Sequence, residues 1–430
     1  MTTAVNAQVC VVGGGPAGLA LALELARREV SVVVLEQSAQ FTRSFRGESI
    51  SPDSVWLLDQ LGVLDEVRDS TLRTERMEVQ DHSRVVLAMD FAGSGRPSPY
   101  PMELPQPPLL AALAQQASVH SCFTLLRSTT ATGLQIEGGR VVGITGSGPD
   151  GPVNVRSSLV VAADGRFSKV RDLSDLDHQN LPLERDFIWF KVPLPEGWDP
   201  HTYRVRILGD RHGIFIPSVP DLVRVGFNIP KGGLKELRQL GIGALHRRID
   251  ELAPELSEGV RSDVRGWTHT SMLDIFTTVV PHWSRPGLVL TGDAAHTLTP
   301  VLGQGVNHAI IDAVTLAPLV ADALDARNPH AALDAAGLEF QRLRESSVAL
   351  ARSLQLRQER AFALSSPGAV ALRSGVYRVV NSSERLKRKL FGGVYYQLQD
   401  SVRSGRTRLR LAPRPVRAST QVPTSASIPS

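Results

Sequence analysis

With 430 residues, 42% of them hydrophobic and 21% charged, the chain is long enough for a large core and two domains, and too apolar to be disordered along its whole length. A net charge of +4 would suit a nucleic-acid partner, yet the segment after residue 400 holds six arginines and no acid, which leaves −2 on residues 1–400 and argues against nucleic acid. The two cysteines, Cys10 and Cys122, lie far apart, show no metal spacing and fit reduced thiols in the cytoplasm.

No apolar run approaches the length of a membrane-spanning helix, and the first strand starts within ten residues, so neither stable membrane insertion nor a signal peptide is expected. The opening stretch "QVCVVGGGPAGLALALELARREVSVVVLEQ", residues 8–37, reads as strand, helix and strand. In that context glycine spacing carries meaning. Gly13 permits a tight turn, Gly15 lets the backbone approach a pyrophosphate, and Gly18 lets helix and strand pack closely. The phosphates would meet the free N–H groups and positive dipole at the helix start. Glu36 ends the second strand, where a carboxylate can bond the adenosine ribose and would repel a 2′-phosphate. The ligand is therefore FAD or NAD rather than NADP. In "TGSGPDG", residues 145–151, the same glycine spacing is followed by no helix, and Pro149 with Asp150 marks a hairpin.

Next, "FRGESISPDSVWLLDQLGVLDEV" reads as a loop and an amphipathic helix capped by Ser51, with Pro52 in its first turn. Residues 75–98 look like strands, "PPLLAALAQQA" is helical, and residues 119–163 alternate like strands up to the buried run "SLVVAAD". Four strand-like segments lie between 185 and 229, and a helix follows at 234–252. "GLVLTGD" is another buried strand, residues 304–324 form a helix interrupted at Pro318, and the last hundred residues are largely helical. The fold class is α/β: a Rossmann-like FAD-binding domain interleaved with a mainly antiparallel β-sheet substrate domain and followed by a helical C-terminal region. The FAD-binding domain takes residues 1–74, 99–182 and 276–345, and the substrate domain 75–98 and 183–275. C-terminal helices fill 346–400, and residues 401–430 form a disordered basic tail.

Two further segments decide between a visiting and a resident dinucleotide. In "VVAADGRFSKVR", Asp164 and Gly165 end a buried strand; in "LTGDAAHTLTPVLGQGVNHAIIDA", Asp293 ends another, and a helix begins near Gly303 to Asn307. A carboxylate at a strand end suits a ribityl chain, and a helix start suits the negative charge of a reduced flavin ring. A nicotinamide needs neither, so the cofactor is resident FAD.

With "GGGPAG" and Glu36, "ADGRFSKVR" and "GDAAHTLTPVLGQGVN" in this order, the chain resembles the single-component FAD-dependent aromatic hydroxylases, the para-hydroxybenzoate hydroxylase-like flavoprotein monooxygenases. The resemblance implies that Ala17 and Glu36 touch the ADP half of FAD, that Arg46 lies in a loop near the flavin, and that Gln106 meets FAD. It implies that Asp293 holds the ribityl chain, that Gly303, Gly305, Val306 and Asn307 face the ring with Pro300 beside it, and that Asp164 serves FAD and NAD(P)H. The implied reaction uses NAD(P)H as co-substrate and dioxygen to hydroxylate a small aromatic substrate through a flavin hydroperoxide. Hydroxybenzoate enzymes clamp a carboxylate with serine, arginine and tyrosine. Here Ser218 is kept and the other two are not evident, which favours a larger or neutral aromatic compound of secondary metabolism.

Two competitors stand beside this reading. "GES" at 47–49 resembles the loop of flavin-dependent halogenases, but no lysine precedes Lys169 and "HGIFIPS" stands where their tryptophan motif belongs. The other is a flavoprotein that binds an aromatic ligand without turnover. His296 reads as a core histidine, Arg171 equally as a solvated helix charge or a nucleotide contact, and Trp189, Trp267 and Trp283 as packing. His212 and Tyr203 lie in the β layer, where position alone makes them candidates for the base, and each reads first as a surface residue. No catalytic base, metal ligand or oligomeric state follows from the sequence.

Overall fold

Parallel strands need a crossover of a dozen residues or more, and β1 (Thr3–Val12), α1 (Pro16–Ala26) and β2 (Val32–Leu35) form one. In the computed structural model, which describes residues 2–42 and 47–413, this unit lies at the centre of a sheet. Its strand order is Ser284–Arg285, Leu288–Leu290, Gly151–Ala162, β1, β2 and Phe123–Leu126. Every pair along that path is parallel except the first. Val12 pairs with both Ala162 and Leu35, Ala162 with Leu290, and Leu35 with Leu126, so the parallel strands finish at one level. In an open α/β sheet that level is where ligands bind. The glycines at 145–151 form the expected hairpin between Arg140–Gly148 and Gly151–Ala162.

A helix that is apolar all round belongs inside a protein. α1 is buried from Ala17 to Ala26, against the helices Gln106–Ser118 and Gln304–Leu324. The latter runs unbroken through Pro318, where an interruption was expected. Leu316, Ala317 and Pro318 are all buried there, and this packing outweighs the missing backbone donor. Residues Val301–Leu324 are, by length and composition, long and apolar enough to cross a membrane, which the sequence reading excluded. Most of that span is buried between α1 and the helix Pro329–Phe362, as a core helix would be.

The second layer is a seven-stranded sheet, ordered Ser271–Leu273, Arg185–Pro193, Leu222–Pro230, Arg211–Ser218, Thr202–Leu208, Arg76–Asp81 and Arg84–Asp90. It is antiparallel except where Thr202–Leu208 runs parallel to Arg76–Asp81. The helix expected at 234–252 is two helices, Leu234–Gln239 and Ile242–Leu252, because Gly241 takes a φ of +78° between them. A small sheet of Ser49–Ile50, Met102–Glu103 and Leu72–Arg73 pairs Ser49 with Glu103.

The C-terminal region is helical, but its expected start at 346 falls inside the helix Pro329–Phe362. The expectation of a disordered tail from residue 401 also fails for residues 401–413. Residues 401–403 complete the helix Gln397–Arg403. Beyond it, Leu409 and Leu411 pack on the parallel-sheet core, Arg410 pairs with Asp322 at 2.6 Å, and the Ala412 N–H donates to buried Glu24 at 3.1 Å. Composition misled because serine and proline content hides two well-placed apolar contacts, an ion pair and a backbone hydrogen bond.

Candidate active site

The turn between β1 and α1 is built on Gly13, whose φ is +107° and where a Cβ would lie 2.4 Å from the Ala163 carbonyl oxygen. A Cβ on Gly18 would meet the Gly13 carbonyl oxygen at 2.0 Å, so Gly18 serves packing and lies outside the cavity wall. Gly15 differs from both: a Cβ there meets nothing within 4 Å. It faces a cavity of about 780 Å³ that runs from the ends of the parallel strands to the seven-stranded sheet. Gly13, Gly15, Ala17, Glu36, Gln106 and Asp164 line this cavity. So do Asp293, Pro300, Gly303, Gly305, Val306 and Asn307. Arg46 lies outside the described residues.

These residues fit a dinucleotide with a flavin ring. The first turn of α1 holds no acidic side chain, so its N–H groups and positive dipole are not neutralised locally. The same is true of the helix Gln304–Leu324, which Leu302 (φ +64°) and Gly303 (φ +59°) bend into position. Glu36 accepts from the Gly14 N–H and the Ser38 N–H, both at 2.8 Å, so its carboxylate is fixed beside the glycine turn. Asp164 accepts from Ser168 Oγ at 2.5 Å and the Val170 N–H at 3.0 Å, capping the short helix Lys169–Leu173. Asn307 accepts from the Ser51 N–H at 2.8 Å and donates to the Ser49 carbonyl at 3.2 Å, tying the long helix to the Gly47–Ile50 segment.

The opposite wall comes from the seven-stranded sheet and is mostly apolar: Met77, Ile214, Ile216, Leu273, with Trp189 and Tyr203. One polar cluster interrupts it. Arg224 reaches Glu48 at 3.1 Å, Glu103 at 3.1 Å and Ser49 Oγ at 3.1 Å; Ser49 Oγ donates to Glu103 at 2.9 Å, and Lys191 lies 3.4 Å from Glu48. Burial pushes the Glu103 carboxyl up to about 7 against the pull of Arg224 and Ser49. Among the described residues, Arg224 Nε and Trp189 Nε1 have no hydrogen-bond partner, although both side chains are buried.

Residues 6–350 match the family model described as "FAD binding domain". The chain belongs to this FAD-binding family. It is 36% identical over 326 residues to 6-methylpretetramide 4-monooxygenase of Streptomyces rimosus, covering 75% of this chain and 77% of that protein. It is 28% identical over 361 residues to protoasukamycin 4-monooxygenase of Streptomyces nodosus subsp. asukaensis, covering 81% and 86%. Among solved structures, PqsL of P. aeruginosa in complex with 2-aminobenzoylacetate aligns with a TM-score of 0.73 at 22% identity, over 86% of this chain and 99% of that one. The protein is an FAD-dependent monooxygenase of the aromatic-hydroxylase type.

Several side chains of this flavoprotein differ from their sequence reading. Arg171 is neither solvated nor in the cavity wall: it is 2% exposed and donates to the Ala294 carbonyl at 3.0 Å, tying the short helix Lys169–Leu173 to the helix Asp293–His296. Tyr203 and His212 are not on the surface. Tyr203 lines the cavity, whereas His212 is sealed between Phe187 and Phe362 and burial pushes it down to about 3. Trp189 also lines the cavity, beside Arg224. An arginine and a tyrosine do line the cavity on the side of the seven-stranded sheet, Arg224 and Tyr203, whereas Ser218 is buried away from it. His296 is a core residue, as read: it bonds Asp312 at 2.7 Å, and Asp312 also accepts from Arg344 at 2.7 Å and the Gly292 N–H at 2.9 Å. The sequence offered no signal for Gln355, which holds the Thr299 N–H and the Thr299 and Val301 carbonyls and so fixes the loop at Pro300.

Proposed function

We propose that the glycine turn, Ala17 and Glu36 hold the ADP half of FAD, that Asp293 holds its ribityl chain, and that Pro300 with Gly303–Asn307 faces its ring, with Gln106 at the edge. Bound FAD supplies acceptance of a hydride from NAD(P)H and activation of dioxygen. The chain's own part is to orient the aromatic ring, exclude water and stabilise developing charge. Asp164 belongs to the loop that the two dinucleotides share. Its two hydrogen bonds to Ser168 and Val170 make it a brace for that loop. The free thiols Cys10 and Cys122 support a reducing compartment, the cytoplasm.

The substrate is a neutral, polycyclic phenol of natural-product type. The observation that carries this is the charge balance of the polar cluster: Arg224 is already held by Glu48 and Glu103. A benzoate carboxylate entering here would meet two carboxylates and one committed guanidinium, a poor exchange for its hydration. An apolar wall with one hydrogen-bonding group suits a flat neutral ring system. The similarity to 6-methylpretetramide 4-monooxygenase supports the same size class. The test is NAD(P)H oxidation by the purified flavoprotein with 6-methylpretetramide, 1-naphthol and 4-hydroxybenzoate, with product analysed after reaction in labelled dioxygen. Neutral polycyclic phenols should stimulate oxidation and take up label. Stimulation by 4-hydroxybenzoate above both neutral compounds overturns the reading.

A further inference from the structure

An electrophilic oxygen donor attacks a phenolate far faster than a phenol, so a hydroxylase of phenols needs a place for the hydroxyl proton. A suitable acceptor must reach the substrate, be shielded from water, and stand beside a cation able to hold the oxyanion that results. The polar cluster meets these conditions. Glu103 lines the cavity and is 4% exposed, and its carboxylate touches Arg224 and Ser49. Arg224 and Trp189, 5% and 6% exposed, each keep one N–H without a partner among the described residues. Both N–H groups belong to side chains that line the same cavity as Glu103. The cluster also adjoins the segment assigned to the flavin ring. A Cβ on Gly303 would lie 3.2 Å from Ser49 Cβ, and Asn307 bonds the Ser49 carbonyl.

We propose that Glu103 accepts the hydroxyl proton of the phenolic substrate while the spare N–H groups of Arg224 and Trp189 hold the phenolate oxygen. The proposal rests on the aromatic-hydroxylase reading and deepens it. The phenol O–H bond breaks and a Glu103 carboxyl O–H bond forms. The electron pair stays on the substrate oxygen and is delocalised into the ring, which raises its nucleophilicity at the ortho and para carbons. When the oxidised ring regains aromaticity its carbon-bound proton leaves with the second oxygen atom of dioxygen, which ends as water, and the Glu103 proton returns to the phenolic oxygen, resetting the site. The charged and titratable groups facing Glu103 come from every neighbouring element. Arg224 and Lys191 come from the large sheet, Glu48 from the preceding loop, Tyr203 from the strand Thr202–Leu208 and Tyr395 from the helix Glu384–Tyr395. Burial pushes both tyrosine hydroxyls well above their ordinary range, so neither competes for the proton. Burial also sets Glu103 at about 7, so it is an ionised acceptor at pH values just above neutrality.

The test uses the FAD-loaded protein and quinizarin, a polycyclic phenol that is orange when neutral and violet when ionised, outside the flavin absorption. At a mildly alkaline pH where free quinizarin is neutral, binding should produce the violet form with no proton released to the buffer, because the proton passes to Glu103. In Glu103→Gln the violet form should vanish or appear only with release of about one proton per molecule bound. Glu103→Asp should restore part of the internal transfer. Retention of FAD absorbance confirms that each variant is folded. Hydroxylation by Glu103→Gln should fall by ~10²–10⁴-fold. Orange quinizarin bound to the wild-type protein, or a violet form that releases its proton to solvent, overturns the role of Glu103 alone. Failure to bind quinizarin at all overturns the substrate reading with it.

Discussion

Two buried carboxylate–guanidinium networks flank the segments proposed to hold FAD, and they differ in satisfaction and in access. Behind the strand Leu288–Leu290, Asp312 is shared by His296, Arg344 and the Gly292 N–H, and Arg344 reaches His308 at 2.8 Å. None of these side chains lines the cavity. At the front, Glu48, Ser49, Glu103 and Arg224 line it, and one Arg224 N–H is left over. A closed network fixes backbone: it holds the Gly292–Asp293 turn. A network with a spare donor on a cavity wall can act on a ligand. The chemistry of the residues does not separate the two; satisfaction and access do.

The largest expected effect breaks the closed network. Asp312→Ala leaves His296 and Arg344 as uncompensated buried groups and should destabilise the fold by about 3–5 kcal/mol, read by chemical denaturation of the flavin-free chain. Opposite pH slopes should then separate the networks. His296 and Arg344 outweigh the burial penalty and hold Asp312 well below the usual carboxylate range. Its contribution is therefore complete above that range and is lost as pH falls through the folded value. Glu103 runs the other way. Burial raises it to about 7, so the folded state keeps a proton that the unfolded chain loses near its ordinary value, and stability falls as pH rises across that window. Compared with wild type, Glu103→Gln should lack about 2–3 kcal/mol of this decline between pH ~5 and ~7.5. Asp53, raised to about 6, and Glu359, raised to about 7, should keep their own shares of the slope in that variant.

A third test moves to the glycine turn. Gly15→Ala points its methyl into open space and should leave flavin-free stability within about 1 kcal/mol of wild type while weakening FAD binding by ~10-fold or more, measured by fluorescence titration. The smallest effect is expected at the exposed pair Arg410–Asp322, where Arg410→Ala should change stability by at most ~1 kcal/mol. A larger loss there would give the docked C-terminal segment a greater role than its half-exposed contacts suggest.

The cavity wall proposed to hold FAD was legible as a wall in the sequence because backbone geometry dictates its residues. Gly13 needs its positive φ, Gly18 its close contact, and Asp164 and Asp293 follow buried runs that read as strands. The opposite wall was far less legible. Ser49 and Glu103 are partners only because two short strands, fifty-four residues apart, pair in a minor sheet. Arg224 sits in an alternating strand whose in-facing side reads as core until the sheet's orientation is known. Arg171 was misjudged for a similar reason: burial of a guanidinium depends on a carbonyl supplied by Ala294, far along the chain. Pro318 was over-read, since local propensity yields to tertiary packing.

The order of strands in the parallel sheet bears on how the polypeptide is made. β1 stands between β2, which follows within a few tens of residues, and Gly151–Ala162, whose other neighbour Leu288–Leu290 is synthesised only much later. At about 5–20 residues per second, a ribosome delivers that last strand roughly 15–55 s after β1 has emerged. Throughout that interval the outer edge of Gly151–Ala162 and the face of α1 that packs on Gln304–Leu324 lack their final cover. Nascent chains should therefore be bound by chaperones until the helix Gln304–Leu324 leaves the exit tunnel, and flavin should be captured only after that release.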